Sequence, residues 1–277
     1  MLRLLTIEFH KLKHNKASKI LSLIYFGLLI CIALTAAIKF DVGPIKFHLA
    51  EMGIFNFPYI WHFNTYVAAI LKFFLLLVIV SMMANEYSYK TLKQNLIDGL
   101  SKKEFILSKF YTVVAFALAS TFFVFITSLI LGLIYSDYNE FAIITSDLTY
   151  FLAFFIKLIG YFSFGLFLGI LVKRSAFAVG AMLVWYFIEW IIFGILGWKF
   201  VSWETAQSIK NFLPLEAMSN LIKEPGSRLG AVRSIANQIG ETFTKTYAVE
   251  FSTIAIVSTW TLIFIYLSLT LLKKRDL

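Results

Sequence analysis

The chain has 277 residues, of which 60% are hydrophobic and 15% charged, with a formal net charge of +9. A soluble domain keeps about 25% charged residues, and one aqueous core cannot absorb such an apolar excess, because a globule still needs a polar surface. A mean hydropathy of +0.81 therefore points to lipid as the solvent. The positive charge, set in short connections between apolar runs, reads as a topology signal rather than a nucleic-acid surface.

In chain order, residues 1–19 place Leu2, Leu5, Phe9 and Leu12 at helical spacing, with basic residues at many of the other positions. That pattern suits an amphipathic helix lying on a membrane surface. The first apolar run is 20–38, near the roughly 20 helical residues needed to cross a core of about 30 Å. A basic start before an apolar run also suits a signal peptide. This run, however, is longer than an h-region, and the small residues from Ala33 to Ala37 offer no clean cleavage site, so retention is expected. Cys31, the single cysteine, reads as a packing residue.

The second and third runs, 65–84 and 110–135, are joined by a charged connection, 85–109, with a break near Asp98-Gly99. A fourth run, 150–172, is followed almost at once by a fifth, 176–197, which Gly194 and Gly197 would end. The sixth is 253–272. The runs are apolar on all sides and lack the alternation of a membrane barrel. The expected fold class is all-α, a polytopic bundle of about six transmembrane helices. Segment 198–252, broken at Pro214 and Pro225-Gly226, is too apolar for a free loop and not apolar enough to span. Short helices that partly re-enter the membrane, shielded by protein, are expected there.

Lysine and arginine set the orientation. With the N-terminus inside, the inner segments hold Arg3, Lys11, Lys13, Lys16 and Lys19, then Lys90, Lys93, Lys102, Lys103 and Lys109, then Lys173 and Arg174, then Lys273, Lys274 and Arg275. The short outer loops hold only Lys39 and Lys46. Both termini are expected in the cytoplasm.

The sequence lacks a phosphate-binding P-loop, an H-E-x-x-H pair and a G-x-S-x-G elbow, so no enzymatic activity and no cofactor or metal is expected in this chain. His10 and His14 stand at i and i+4, a possible metal spacing without a third ligand; His48 and His62 read as interfacial. Ionisable residues inside spans are costly and are the best functional candidates. Lys72, Lys157 and Glu189 form one such buried layer, either an ion pair that fixes helix packing or part of a substrate path. Gly160, Gly165 and Gly169 would let helices approach closely.

Three stretches carry a resemblance. Glu8-Phe9-His10-Lys11-Leu12-Lys13 is similar to a basic connecting helix before a first span. Asn85 to Leu92, with Gly99 to Phe105 and then Lys109, looks like a first cytoplasmic loop of the pattern Glu, Thr-Leu, Ser-Arg/Lys, Lys. Phe212-Leu213-Pro214-Leu215 resembles a Leu-Pro element before a last span. Together with six spans they resemble the permease subunits of type-2 ATP-binding-cassette (ABC) transporters, most of them exporters. That resemblance implies a separate ATPase subunit, which binds ATP and magnesium and docks on the loop, with Glu86, Thr91, Ser101, Lys102 and Lys103 at or near the contact. It also implies a second permease, the same or a sister chain, membrane lipids as neighbours, and the cytoplasmic membrane of a bacterium. Lys102 stands where arginine is commoner, keeping the charge but losing the planar fork. A secondary transporter or channel subunit and a scaffold in an envelope complex are the rival classes; neither inverted repeats nor a pore filter sequence supports the first.

Overall fold

The computed structural model describes residues 2–38, 40–42, 45–47, 53–228 and 246–275. It is an all-α polytopic bundle with, among the described residues, six helices long and apolar enough to cross a membrane. The chain starts with α1 (Leu2–His14) and α2 (Lys16–Ala37), followed by a small antiparallel hairpin of β1 (Phe40–Val42) and β2 (Ile45–Phe47). Next come α3 (Tyr59–Ser88), α4 (Thr91–Ile97), α5 (Lys102–Tyr135), the single turn α6 (Phe141–Ile144) and α7 (Thr149–Val172). Helix α8 (Ser175–Ile195) runs on through a π turn, Leu196–Phe200, and is followed by α9 (Trp203–Lys210), α10 (Pro214–Asn220) and α11 (Phe251–Lys273).

Apolar residues all around these helices explain why they form spans and not one aqueous core. At 1.5 Å per residue, the 30 residues of α3 make about 45 Å of helix, roughly 15 Å more than a hydrocarbon core. The 34 residues of α5 exceed it further. Both helices therefore project past the lipid tails, and their ends can carry charge.

Helix α7 is the axis of the bundle and packs against α3, α5, α8 and α11. Its glycines make this possible. A Cβ at Gly165 would collide with Leu76 of α3, and one at Gly160 would lie 2.9 Å from Val257 Cγ1 of α11. Gly169 faces Met83 in the same way at 3.2 Å. By contrast, α2 and α8 are mostly exposed along their lengths, and Cys31 lies on the open face of α2 rather than in packing.

Gly194 and Gly197 do not end the fifth span, contrary to the sequence expectation. The helix passes Gly194 and continues as the π turn, in which Leu196, Trp198 and Phe200 extend the apolar run around the single charge of Lys199. Gly197 instead makes room for the ring of Trp203, which a Cβ there would strike.

Both described ends of the chain lie at one pole. Lys102, at the start of α5, donates to the carbonyls of Lys273 (3.3 Å) and Arg275 (2.9 Å). Arg275 donates to the carbonyls of Ile170 (2.5 Å) and Leu171 (3.0 Å), satisfying the last carbonyls of α7, a favourable place for a cation. It also donates to the Tyr87 hydroxyl at 3.0 Å.

Gly165→Leu should lower the thermal unfolding midpoint of the detergent-solubilised chain, since overpacking a core costs about 1–3 kcal/mol. Gly180→Leu should leave it unchanged, because nothing lies within 4 Å of that site. Equal midpoints for the two variants would refute the packing argument.

Candidate functional site

At the pole shared by the chain ends, charge goes inside. Lys109, seven residues into α5, is fully buried, and its ammonium donates to Glu8 Oε2 at 2.6 Å and Glu86 Oε1 at 2.5 Å. Lys11 adds a bond to Glu86 Oε1 at 2.8 Å and an ion pair with Glu8 at 3.8 Å. The other oxygen of Glu86 accepts from Thr91 Oγ1 (2.6 Å) and Asn95 Nδ2 (3.2 Å). Glu8 Oε1 accepts from Ser108 Oγ at 3.4 Å.

This network joins α1, the last turn of α3, both turns of α4 and the start of α5. Two carboxylates face two ammonium groups, so the cluster is formally neutral. Its hydrogen bonds fill the lone pairs that burial would otherwise leave unmet, which is the condition for a buried ion pair to be tolerated. Glu86 also sets the angle between α3 and α4, since it leaves one helix and is held by side chains of the next. Beside the cluster is a cavity of about 540 Å³ lined by Lys11, Asn15, Glu86, Tyr89 and Thr91 among others.

The structure divides the residues that sequence reasoning placed at a docking contact. Glu86 is 2% exposed and faces inward, with Thr91 bound to it. Ser101 closes a capping box on α5: its Oγ accepts from the Glu104 N–H at 3.2 Å, and the Glu104 carboxylate accepts from the Ser101 N–H at 3.0 Å. The Ser-x-x-Glu spacing is the signature of that box. Lys102 turns to the chain end, and of the five only Ser101 and Lys103 are exposed. The outer face of the same block shows Tyr89 (73% exposed) and Ile97 (69%), flanked by exposed Lys90 and Lys93.

The membrane-buried layer is built differently from a direct ion pair. Glu189 bonds to neither lysine. Its carboxylate accepts from Trp185 Nε1 (2.9 Å) and from the backbone N–H groups of Leu215 (2.9 Å) and Glu216 (3.0 Å). Those N–H groups belong to the first turn of α10, which begins with Pro214 and has no side-chain cap of its own. Lys157 donates to the Ser219 carbonyl in the last turn of α10, at 3.3 Å. The anion thus sits at the positive end of a short helix and the cation near its negative end, as the helix dipole favours. Lys72 donates to the Ala69 carbonyl (2.8 Å) and lies 4.5 Å over the Tyr161 ring.

At the opposite pole His62 is fully buried and stacked on Tyr150 at 4.3 Å. Its Nε2 faces the Lys223 carbonyl at 2.7 Å and must donate, while its Nδ1 faces the Arg228 guanidinium at 3.2 Å and must accept. It is a structural bolt rather than an interfacial residue. His14 Nδ1 contacts the His10 carbonyl at 2.8 Å; His48 lies outside the described residues. Sequence reasoning missed the burial of Lys109. One signal was available: Glu8 is the only acidic residue before Asp41.

Six apolar helices among the described residues and a charged pole tied to α1 define a multi-pass membrane protein. The family model described as "ABC-2 family transporter protein" matches residues 33–277, and the chain belongs to that family. It is an ABC-2 type permease subunit. Among curated proteins no match was found.

Lys109→Met should destabilise the chain by about 3–5 kcal/mol, because it leaves two buried carboxylates to share the Lys11 ammonium, and Glu8→Gln in the same chain should recover part of the loss. Thermal unfolding of Lys109→Met, Glu8→Gln and the double variant checks this; additive losses would show that the groups are not coupled. Glu189→Leu should cost about 1–3 kcal/mol by leaving the first N–H groups of α10 unmet. Amide exchange confined to residues 214–220 is the measurement, and unchanged protection there would sink the capping role.

Proposed function

We propose that this permease subunit belongs to an exporter driven by ATP hydrolysis on a separate ATPase subunit, which carries the ATP and magnesium. The ATPase docks on the surface formed by α4 and the turn before it, which presents Tyr89, Lys90, Lys93 and Ile97, with Lys103 at its edge. The observation that carries this reading is the buried Glu8–Lys109–Glu86 cluster, which fixes α4 to α1, α3 and α5 as one block. An exposed aromatic and an exposed aliphatic side chain among lysines form a compact surface suited to a partner with an apolar groove and an acidic rim.

The same pole carries most of the basic residues of the short connections, so we place it, with both termini, in the cytoplasm of a bacterial cell. A second permease, identical or sister, completes the transporter, and the exposed apolar faces of α2 and α8 are available to it and to lipid.

Purification of the tagged chain from its native membrane in mild detergent, followed by mass spectrometry, tests the partnership. A stoichiometric ATPase with a P-loop is expected. Ile97→Asp combined with Lys93→Glu should reduce its recovery at least roughly tenfold, equivalent to about 1.4 kcal/mol. The unfolding midpoint should stay unchanged, as exposed substitutions usually leave it. Full recovery of the ATPase with the double variant would move the docking site elsewhere, and absence of any ATPase would overturn the reading.

A further inference from the structure

Between α3, α7, α8 and α10 lies a cavity of about 230 Å³. Lys72, Lys157, Tyr161, Met182, Tyr186 and Met218 are among the residues that line it. Lys157 is 5% exposed, and its ammonium makes one described hydrogen bond, to the Ser219 carbonyl. Lys72 makes one, to the Ala69 carbonyl, and rests on the Tyr161 ring. An ammonium has three donors, so both lysines have donors to spare. Among the described residues, no carboxylate pairs with either of them. Glu189, the carboxylate that α8 could have offered, is committed to the first turn of α10.

Two ammonium groups lining one small space between membrane helices repel each other and lack the water that would stabilise them. Their arrangement becomes favourable when an anion with several oxygens enters and accepts from both. The volume is below the roughly 300–1,000 Å³ that takes a whole drug-sized ligand, so it suits a headgroup rather than a complete molecule. At its rim, Leu183 and Tyr186 of α8 are 57% and 46% exposed. The cavity therefore reaches an exposed face of α8, from which an acyl tail would extend into the bilayer.

We propose that this cavity binds a phosphate group, presented as the head of an anionic membrane amphiphile. Lys72 and Lys157 hold the phosphate oxygens, and α10 closes the site from one side. Binding is a property of the cavity and stands apart from the ATPase partnership.

The experiment follows the unfolding midpoint of the full chain in detergent with three probes: dihexanoyl phosphatidate, dihexanoylglycerol with the same tails but no phosphate, and inorganic phosphate. Saturating phosphatidate should raise the midpoint by about 4 °C, and dihexanoylglycerol should not. Lys72→Met and Lys157→Met, which keep length and remove charge, should each abolish most of the shift. If inorganic phosphate reproduces the shift, the site stands and its source is the free ion; if only phosphatidate acts, the source is a lipid headgroup. An equal response to dihexanoylglycerol, a shift that survives in Lys72→Met, or no response to either phosphate species would overturn the proposal. Should Lys157→Met fail to fold, Lys72→Met, at a half-buried position, decides alone.

Discussion

The buried ammonium of Lys109, held between Glu8 and Glu86, is the constraint on which the pole of this permease depends. An amphipathic helix such as α1 would otherwise be free to lie anywhere on the membrane surface. Coulomb attraction in a desolvated site gives it one position, because an uncompensated buried charge is far more costly than an exposed one. The same carboxylate of Glu86 orders α4, a helix of seven residues that would not be stable alone. A surface for a partner is thus built on a segment whose geometry is set from beneath.

The membrane interior uses the same economy of charge in another form. Glu189 and Lys157 do not meet, yet each compensates an end of α10. Backbone groups that would be unmet at a short helix's ends find side-chain partners, and the side-chain charges find dipoles. Helix and charges are stable together where neither would be alone. Lys210 of α9 adds to this local order, pairing with Glu216 of α10 at 3.2 Å and lying 3.9 Å over the Trp190 ring.

Much of the fold was legible because the periodicity of membrane helices is simple: long apolar runs separated by basic connections leave few alternatives. The Ser101–Glu104 box was also written in the sequence, as the Ser-x-x-Glu spacing that closes it. What could not be read was partnership across long separations. Glu8 and Lys109 are 101 residues apart, and no spacing rule connects them. Glu189 looked like the partner of a lysine because a carboxylate in lipid needs a counter-charge. The backbone of α10 supplied a rival that side-chain inspection does not reveal. The exposed Tyr89 and Ile97 were hidden for the opposite reason, since apolar residues in a sequence do not announce which side of a short helix they will occupy.

The glycine contacts of α7 shape how the bundle holds together. Where α7 has glycine, side chains of α3 and α11 such as Leu76, Met83 and Val257 fill the space it leaves, so the three helices interlock. Glu86 ties α4 to α3, and α3 in turn packs against α7. The flanks, α2 and α8, bury little of themselves. The line from the charged pole to the centre is therefore continuously packed, whereas the edges keep open apolar faces.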